Sequence, residues 1–526
     1  MPSPPLVRKF LRSQSLTYFV TLKNAEEYLE SISKIKYDVY IDGKKVSNPL
    51  KHPLIVPAVN SYKLLYQMQH NELYKPLMVT KSDLISGEVS RFLQPYRSIE
   101  DMVVALHMLR VTSQALGSCV LRCLSKEMLV PLYHTTFHID KQYGTDYHKR
   151  FINFLKYVQQ EDLSVAVAMT DVKGDRSLPP HSQPNKFVRI VEKRSDGIIV
   201  RGAKMHITGV VGAHAMVFLP SQVLDKEDSN HAVAFWVPTD TENLKLVLGR
   251  HALDDRRYTG SDYGNIYDMN EYLVILNDVF VPWDNVFMCG EYEATRELIR
   301  VFSASHRFSY GGCRAGVLDL LNGACAQIAE FHGYDRASHI RDKLTDMMIY
   351  TETLWACAIA AAYLGQRLSS GVYIPNPILA NVTKYHTATL VHKIRELAID
   401  ITGGIIGTMP SELNLENEEI GKYVEEYLSV RVDARKRMKL VRFIEFLTHG
   451  VMCVADHFGG GGPQTQRVFI RSMAPFEYLK CIARIRSGIE VESPKSTFGY
   501  LETPSGVLRC CSAYGSENCP LTRKVS

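Results

Sequence analysis

The 526-residue sequence has no apolar run near the ~18 residues that a membrane span needs. The longest candidate, residues 354–364, is short, alanine-rich and interrupted by Cys357, so it reads as a buried helix. Charge of one sign is scarce too. Lys and Arg number 61 against 56 Asp and Glu, and the resulting +5 is too small to imply a nucleic-acid partner. Eleven irregularly spaced cysteines are too few for a disulfide framework. They point to a reducing compartment, where cysteine is a small core residue or a metal ligand. No G-x-G-x-x-G follows a strand pattern, which argues against a Rossmann site, and the absence of C-x₂-C knuckles disfavours zinc. Residues 1–25 lack an apolar segment followed by a small-residue cleavage site, so no secretory leader is expected. They carry Arg8, Lys9, Arg12 and Lys23 with no acid before Glu26. A mitochondrial presequence shares that pattern, but a basic tail is the simpler reading. The expected placement is the cytoplasm, with the mitochondrial matrix as the alternative.

What is present falls into five stretches: a basic tail over 1–23, a helical region over 24–162, a β region over 163–290, a second helical region over 291–490, and a Pro/Ser/Gly-rich tail over 491–526 with Cys510, Cys511 and Cys519. Asn24 and Glu27 form a capping box that opens the first helix. Asp42-Gly43 marks a hairpin. Ser98 opens a long helix expected to run past Leu129, with Met102, Leu106, Leu109 and Leu116 on one face. The period then changes to two, with strands expected over 165–168, 187–191, 198–201, 214–219, 232–237 and 272–281. This region reads as a β-barrel or small sandwich. Long amphipathic stretches after residue 291 predict a four-helix bundle closing on it. The fold class is α+β.

Two short patterns carry chemistry. Cys119 and Cys123 stand at i and i+4, which puts both sulfurs on one face of the expected helix. His306 and Cys313 are seven apart, two turns along another helix, with Tyr310 and the pair Gly311-Gly312 between them. Glycines inside a helix imply close approach, either of a metal cluster or of a crossing helix. Three thiolates and an imidazole bind zinc or an iron–sulfur cluster. The stripe Arg435, Lys436, Arg437, Lys439 and Arg442 suits coenzyme A phosphates or, more simply, a solvated helix face.

These patterns belong to a wider set. It comprises Cys119-x₃-Cys123, the segments 168–176 and 201–209, His306-x₃-Tyr310-Gly-Gly-Cys313, and the segments 400–404, 409–412 and 463–467. With it the sequence resembles the 4-hydroxyphenylacetate 3-hydroxylase flavoprotein family, and within it the branch that dehydrates 4-hydroxyacyl-CoA thioesters. The resemblance runs from about residue 24 to 489. It implies an acyl-CoA-dehydrogenase-like fold with an N-terminal helical domain, a middle β-barrel and a C-terminal four-helix bundle. It also implies a homotetramer, an acyl-CoA substrate, FAD and a [4Fe–4S] cluster held by Cys119, Cys123, His306 and Cys313. The implied reaction is radical dehydration of 4-hydroxybutyryl-CoA to crotonyl-CoA, with isomerisation of vinylacetyl-CoA alongside. His306, Tyr310 and Glu271 match catalytic positions. Met169, Thr170, Asp171, Lys173, Gly174, Asp175, Arg176, His206, Thr208, Gly403 and Gly404 match flavin contacts.

Two positions depart from that branch. A lysine is expected after the last cluster cysteine, and Arg314 stands there. A glutamate is expected eight residues before Pro463; Ala455 stands there with Asp456 beside it, so the acid is either shifted or lost. The competing readings are an aromatic monooxygenase fed by a flavin reductase, which needs no iron, and a non-enzymatic homologue that keeps the fold.

Overall fold

The computed structural model describes residues 22–259 and 266–489 and the short stretches 502–503 and 506–507. The tail before residue 22 and Cys510, Cys511 and Cys519 lie outside the described residues.

The N-terminal part is helical. Helix α1 (Ala25–Ser33) carries the expected capping box between Asn24 and Glu27, and α2 (Val56–Met68) follows. Helix α3 (Ile99–Leu116) starts at Ser98, whose hydroxyl accepts from the Asp101 amide, and stops at Gly117 in the left-handed conformation. This corrects the single helix expected past Leu129. A left-handed glycine ends a helix, and Cys119 therefore lies on an irregular turn. Cys123 opens a new short helix, α4 (Cys123–Glu127). Helices α5 (Leu129–Tyr143) and α6 (Tyr147–Gln160) complete this part.

The middle part is not a closed barrel, which corrects the expected fold. Two open sheets form instead. The strands are β1 (Val39–Ile41), β2 (Lys44–Lys45), β3 (Val165–Ala168), β4 (Arg189–Lys193), β5 (Gly197–Thr208), β6 (Ala215–Phe218), β7 (Val233–Pro238), β8 (Leu244–Leu248), β9 (Glu271–Pro282) and β10 (Val286–Cys289). One sheet has six strands in the order β2-β1-β8-β9-β5-β4, the other four in the order β10-β7-β6-β3. Closure needs the outermost strands to pair, and both outer strands of each sheet have only one neighbour. The six-stranded sheet is completed by the Asp42-Gly43 hairpin, whose β1 pairs in parallel with β8 about two hundred residues later. No local pattern announces such a pairing. The inner sheet is apolar on both faces: β3, β6, β7 and β10 are buried throughout. Trp236 packs on Phe154 and Tyr157 of α6, which covers that sheet with aromatic rings.

The C-terminal part is built on three long helices, α7 (Ala294–His332), α8 (Ser338–Tyr363) and α9 (Pro377–Thr402), joined by α10 (Ala434–His449). They pack together, and α7 also receives α3 from the N-terminal part. The glycines of α7 are placed for these crossings. A methyl on Gly311 would collide with Ala358 of α8; on Gly312 it would sit 2.7 Å from the Leu106 carbonyl of α3, and on Gly316 it would collide with the Arg110 carbonyl. The glycine pair is therefore a helix crossing. Each glycine costs about 1 kcal/mol of helix propensity, offset by backbone approach that no alanine permits. Among the described residues no helix is long and apolar enough to cross a membrane.

Candidate active site

The crossing of α7 with α3 brings the separated cysteines together. Cys123 and Cys313 share one apolar cluster with Leu109, Leu116 and Val120. The Cys119 and Cys123 thiols are hydrogen-bonded, and this contact, then burial and the nearby Glu127, hold the Cys123 thiol well above its usual range. Burial pushes Cys313 up to about 12, against the pull of Arg314 and with further push from Cys119 and Glu127. Three sulfurs from two distant segments are thus brought close enough to interact. The turn carrying them is pinned on the other side to the β sheets. Ser118 donates to Asp268 (3.1 Å) and Ser125 to the Val165 carbonyl (2.8 Å). Arg122, between the two cysteines, makes a fully buried ion pair with Asp162 at 2.6 Å and lies over the Tyr66 ring.

His306 stands two turns before Cys313 on α7. Its Nδ1 is hydrogen-bonded to Glu127 Oε2, a carboxylate only 1% exposed. Tyr310 is buried one turn on, its ring edge-on to His306 at 5.1 Å, and burial holds its phenol well above the usual range. Two cations flank the Tyr310 ring: Arg314 at 5.1 Å and Lys384 of α9 at 4.9 Å. A tetraglycine loop, 459–462, joins α11 (Val451–Phe458) to α12 (Pro463–Met473) and packs against Tyr310 and His306. A methyl on Gly459 would strike the Tyr310 hydroxyl, and one on Gly460 would sit 3.4 Å from His306 Nε2. Arg307 holds this loop by donating to the Gly460 carbonyl at 2.9 Å.

The second group of expected site residues lies at the end of β5 and β9. Thr208 donates to Glu271 Oε1 at 2.8 Å, while Glu271 Oε2 is buried without a partner. Burial raises the Glu271 carboxyl to about 7, and the Thr208 bond opposes that rise. His206, two residues before Thr208, has a left-handed backbone (φ 58°) beside the register shift between Tyr272 and Val274, an unusual state for a non-glycine in a strand. The 169–176 loop is exposed from Lys173 to Arg176. Asp171 is committed inward: Lys204 donates to its Oδ1 (2.5 Å) and Ser221 to its Oδ2 (2.5 Å). Lys204 also donates to the Met169 carbonyl, so the pair fixes the loop's base. The Thr170 carbonyl accepts from the Met205 amide, Gly174 is left-handed, and Asp175 accepts from Ser177. Gly403 and Gly404 lie at the end of α9, where an added methyl would meet nothing within 4 Å, so the backbone there is open to another body.

The chain matches the 4-hydroxyphenylacetate 3-hydroxylase N-terminal region over residues 24–288 and its C-terminal region over residues 295–485. It belongs to the 4-hydroxyphenylacetate 3-hydroxylase family. Within that family it is 37% identical over 489 residues to the 4-hydroxybutyryl-CoA dehydratase/vinylacetyl-CoA-Δ-isomerase of Clostridium aminobutyricum, covering 89% of this chain and 100% of that protein. An oxygen-tolerant archaeal 4-hydroxybutyryl-CoA dehydratase from N. maritimus superposes with a TM-score of 0.89 at 38% identity, over 92% of this chain and 100% of the other. The oxygenase component of 4-hydroxyphenylacetate 3-monooxygenase complexed with FAD shares the fold, with a TM-score of 0.76 at 22% identity over 89% of this chain and 98% of the other.

The structure answers one question raised by the family's pattern. Asp456 is buried and ion-paired to both Arg314 and Arg395. A buried acid therefore faces the residue after the last cysteine, one position later than expected. Arginine reaches further than lysine and aspartate less far than glutamate, so the pair spans a similar gap. Lys384 donates to the Asp456 carbonyl at 2.8 Å, and burial lowers its ammonium to about 7. The stripe on α10 is not a free basic face. Arg435 and Lys436 pair with Glu416 and Asp433, and Arg442 is buried against Glu412 and Glu445. Among the described residues no three His, Cys, Asp or Glu side chains are placed to hold a single metal ion, and Cys119, Cys123 and Cys313 are free thiols, as are Cys289, Cys325, Cys357 and Cys453. Glu127, Lys384, Arg307 and the glycine loop went unnoticed in the sequence. Only Glu127 left a signal there, as the third member of the i, i+4, i+8 series with Cys119 and Cys123.

Proposed function

We propose that this chain dehydrates 4-hydroxybutyryl-CoA to crotonyl-CoA, with FAD at the 169–176 loop and a [4Fe–4S] cluster on Cys119, Cys123, His306 and Cys313. The observation that carries the reading is the gathering of the buried Cys123 and Cys313 and the half-buried Cys119 beside His306, Tyr310 and Glu127 from two distant segments. Three thiols and an imidazole are a donor set for such a cluster. The exposed Lys173 and Arg176 and the open backbone at Gly403–Gly404 suit an anionic dinucleotide, shared between subunits of a homotetramer.

In net terms one C–H bond at the α carbon, one at the β carbon and the C–OH bond at the γ carbon break. A C=C bond forms between α and β, one proton returns to the γ carbon, and water leaves without overall oxidation. When bound, FAD supplies an electron acceptor and donor beside the acyl chain, and the cluster supplies a Lewis acid. The residues do the rest. His306 Nε2 takes the α-proton from the thioester, whose carbonyl makes that proton acidic. Tyr310 holds the hydroxyl by hydrogen bonding, its phenol kept protonated by burial. Glu271, raised to about 7, holds or releases a proton near neutrality. Gly459 and Gly460 let the loop backbone close on Tyr310 and His306, where a side chain would crowd both rings. Dehydration and vinylacetyl-CoA isomerisation share the same deprotonation and reprotonation. A reducing compartment, cytoplasm or mitochondrial matrix, suits the free thiols.

The test is iron, acid-labile sulfide and flavin per chain after anaerobic purification, followed by a crotonyl-CoA assay. About four irons, four sulfides and one flavin with turnover are expected. Flavin without iron, together with oxygen consumption on a phenol, is the result that replaces this reading with aromatic hydroxylation.

A further inference from the structure

Glu127 has no role in the reaction as set out above, yet its placement is constrained from every side. It lies on α4, one turn after Cys123, and its side chain is 1% exposed. One carboxylate oxygen holds His306 Nδ1. The other, Oε1, is buried without a partner. A buried carboxylate costs several kcal/mol of desolvation unless something holds it, and among the described residues no lysine or arginine pairs with it. Its polar contact is the histidine. The opposite edge of that ring, with Nε2, faces Gly460, whose backbone packs so closely that a methyl there would crowd the ring, 3.2 Å from Cδ2 and 3.4 Å from Nε2.

We propose that Glu127 is a positioning residue for His306. By accepting a hydrogen bond from Nδ1–H it fixes both the ring plane and the tautomer, so that Nε2 is the bare nitrogen on the side of Tyr310 and Gly460. A histidine that is to accept a proton or bind metal through one nitrogen works when a carboxylate orders the other. The α4 helix then serves two ends at once: Cys123 at its start contributes sulfur, and Glu127 at its end sets the histidine brought by α7. This rests on the proposed dehydration only for its activity readout; the tautomer is a property of the protein alone.

The experiment uses the full chain as wild type, Glu127→Gln, Glu127→Ala and, for assignment, His306→Ala. Protein with ¹⁵N-labelled histidine and no metal is examined by NMR for the His306 ring. In wild type the proton is expected on Nδ1. In Glu127→Ala it moves to Nε2 or exchanges between the two. Glu127→Gln, nearly isosteric and still an acceptor through its amide oxygen, keeps the wild-type tautomer in part. In the iron-loaded enzyme, Glu127→Ala should lower kcat by about 10- to 100-fold with KM little changed, and Glu127→Gln should recover part of the loss. An unchanged tautomer and an unchanged kcat in Glu127→Ala overturn the proposal. If that variant does not fold, a wild-type ring with Nε2–H, or full loss in Glu127→Gln with its tautomer intact, overturns it equally. Wild-type protein that carries Nδ1–H but makes no crotonyl-CoA sinks the dehydratase reading and leaves the positioning role standing.

Discussion

Around Tyr310 the charged groups Glu127, Arg307, Arg314, Lys384, Arg395 and Asp456 are all buried, whereas in the 169–176 loop Lys173, Asp175 and Arg176 are exposed. The first region is assembled from four helices, α4, α7, α9 and α11. Its charges meet partners within the chain, as Asp456 does with two arginines, although Glu127 Oε1 is left without one. The second region hangs on one internal ion pair, Asp171 with Lys204, and leaves its other polar groups facing outward. A buried cluster of polar groups suits proton and hydroxyl chemistry, because electrostatic interactions gain strength where water is excluded. An open rim suits a large anionic cofactor that brings its own surface. The contrast separates residues that shape the chemistry from residues that receive a second body.

Several changes would break or sharpen this contrast. The largest effect is expected from Cys313→Ala. Iron and dehydration should be lost together, beyond the ~100-fold that loss of an outer partner costs, with flavin retained; retained activity without iron removes the cluster role. Next is Asp456→Asn, which leaves Arg314 and Arg395 buried and uncompensated. Breaking a buried pair in this way costs about 3–5 kcal/mol, measurable as a lower midpoint in chemical denaturation. The same test on Arg176→Ala should leave the midpoint unmoved, since that side chain is exposed. Gly311→Ala comes third, with about 1–3 kcal/mol of overpacking against Ala358.

The pH dependence of Glu271 is a smaller effect. Its folded pKa, about 7, lies above the ordinary carboxyl value of 4.5. The folded state therefore holds this proton more tightly. The site's contribution to stability is full below about 4.5 and is lost as pH rises through about 7. Glu271→Gln should flatten that part of the stability profile. If the ionised form is the one used, turnover should fall below pH 7 in wild type alone. The smallest effect is expected from Arg435→Ala or Lys436→Ala. Both pair with surface carboxylates, so the KM for an acyl-CoA should stay within about twofold.

Much of the layout was legible in the chain. The capping box at Asn24, the start of α3 at Ser98, the Asp42-Gly43 hairpin and the long α7 carrying His306 and Cys313 all follow from local rules. Most strands of the β region followed from alternation, although 244–248 and 286–289 went unread because each is short and close to a turn. The helix expected through Cys119 and Cys123 was wrong in a specific way. Apolar spacing carried it past Gly117, but a left-handed glycine ended it. The glycine pair at 311–312 left two readings open, and only the neighbours decided between them: Leu106 and Ala358 come from elements far away in sequence.

By itself the sequence determined which residue types were present, the helical and β periods, and the motif set that marks the family. These are local properties, set by spacing along one chain. Tertiary structure alone decided that the sheets stay open, since closure depends on which strand edges meet. It also decided that Asp456 answers Arg314, that Asp171 turns inward to Lys204, and that Glu127 reaches His306. Each joins groups held in place by packing between elements, and burial then makes an unpaired charge too costly to leave alone.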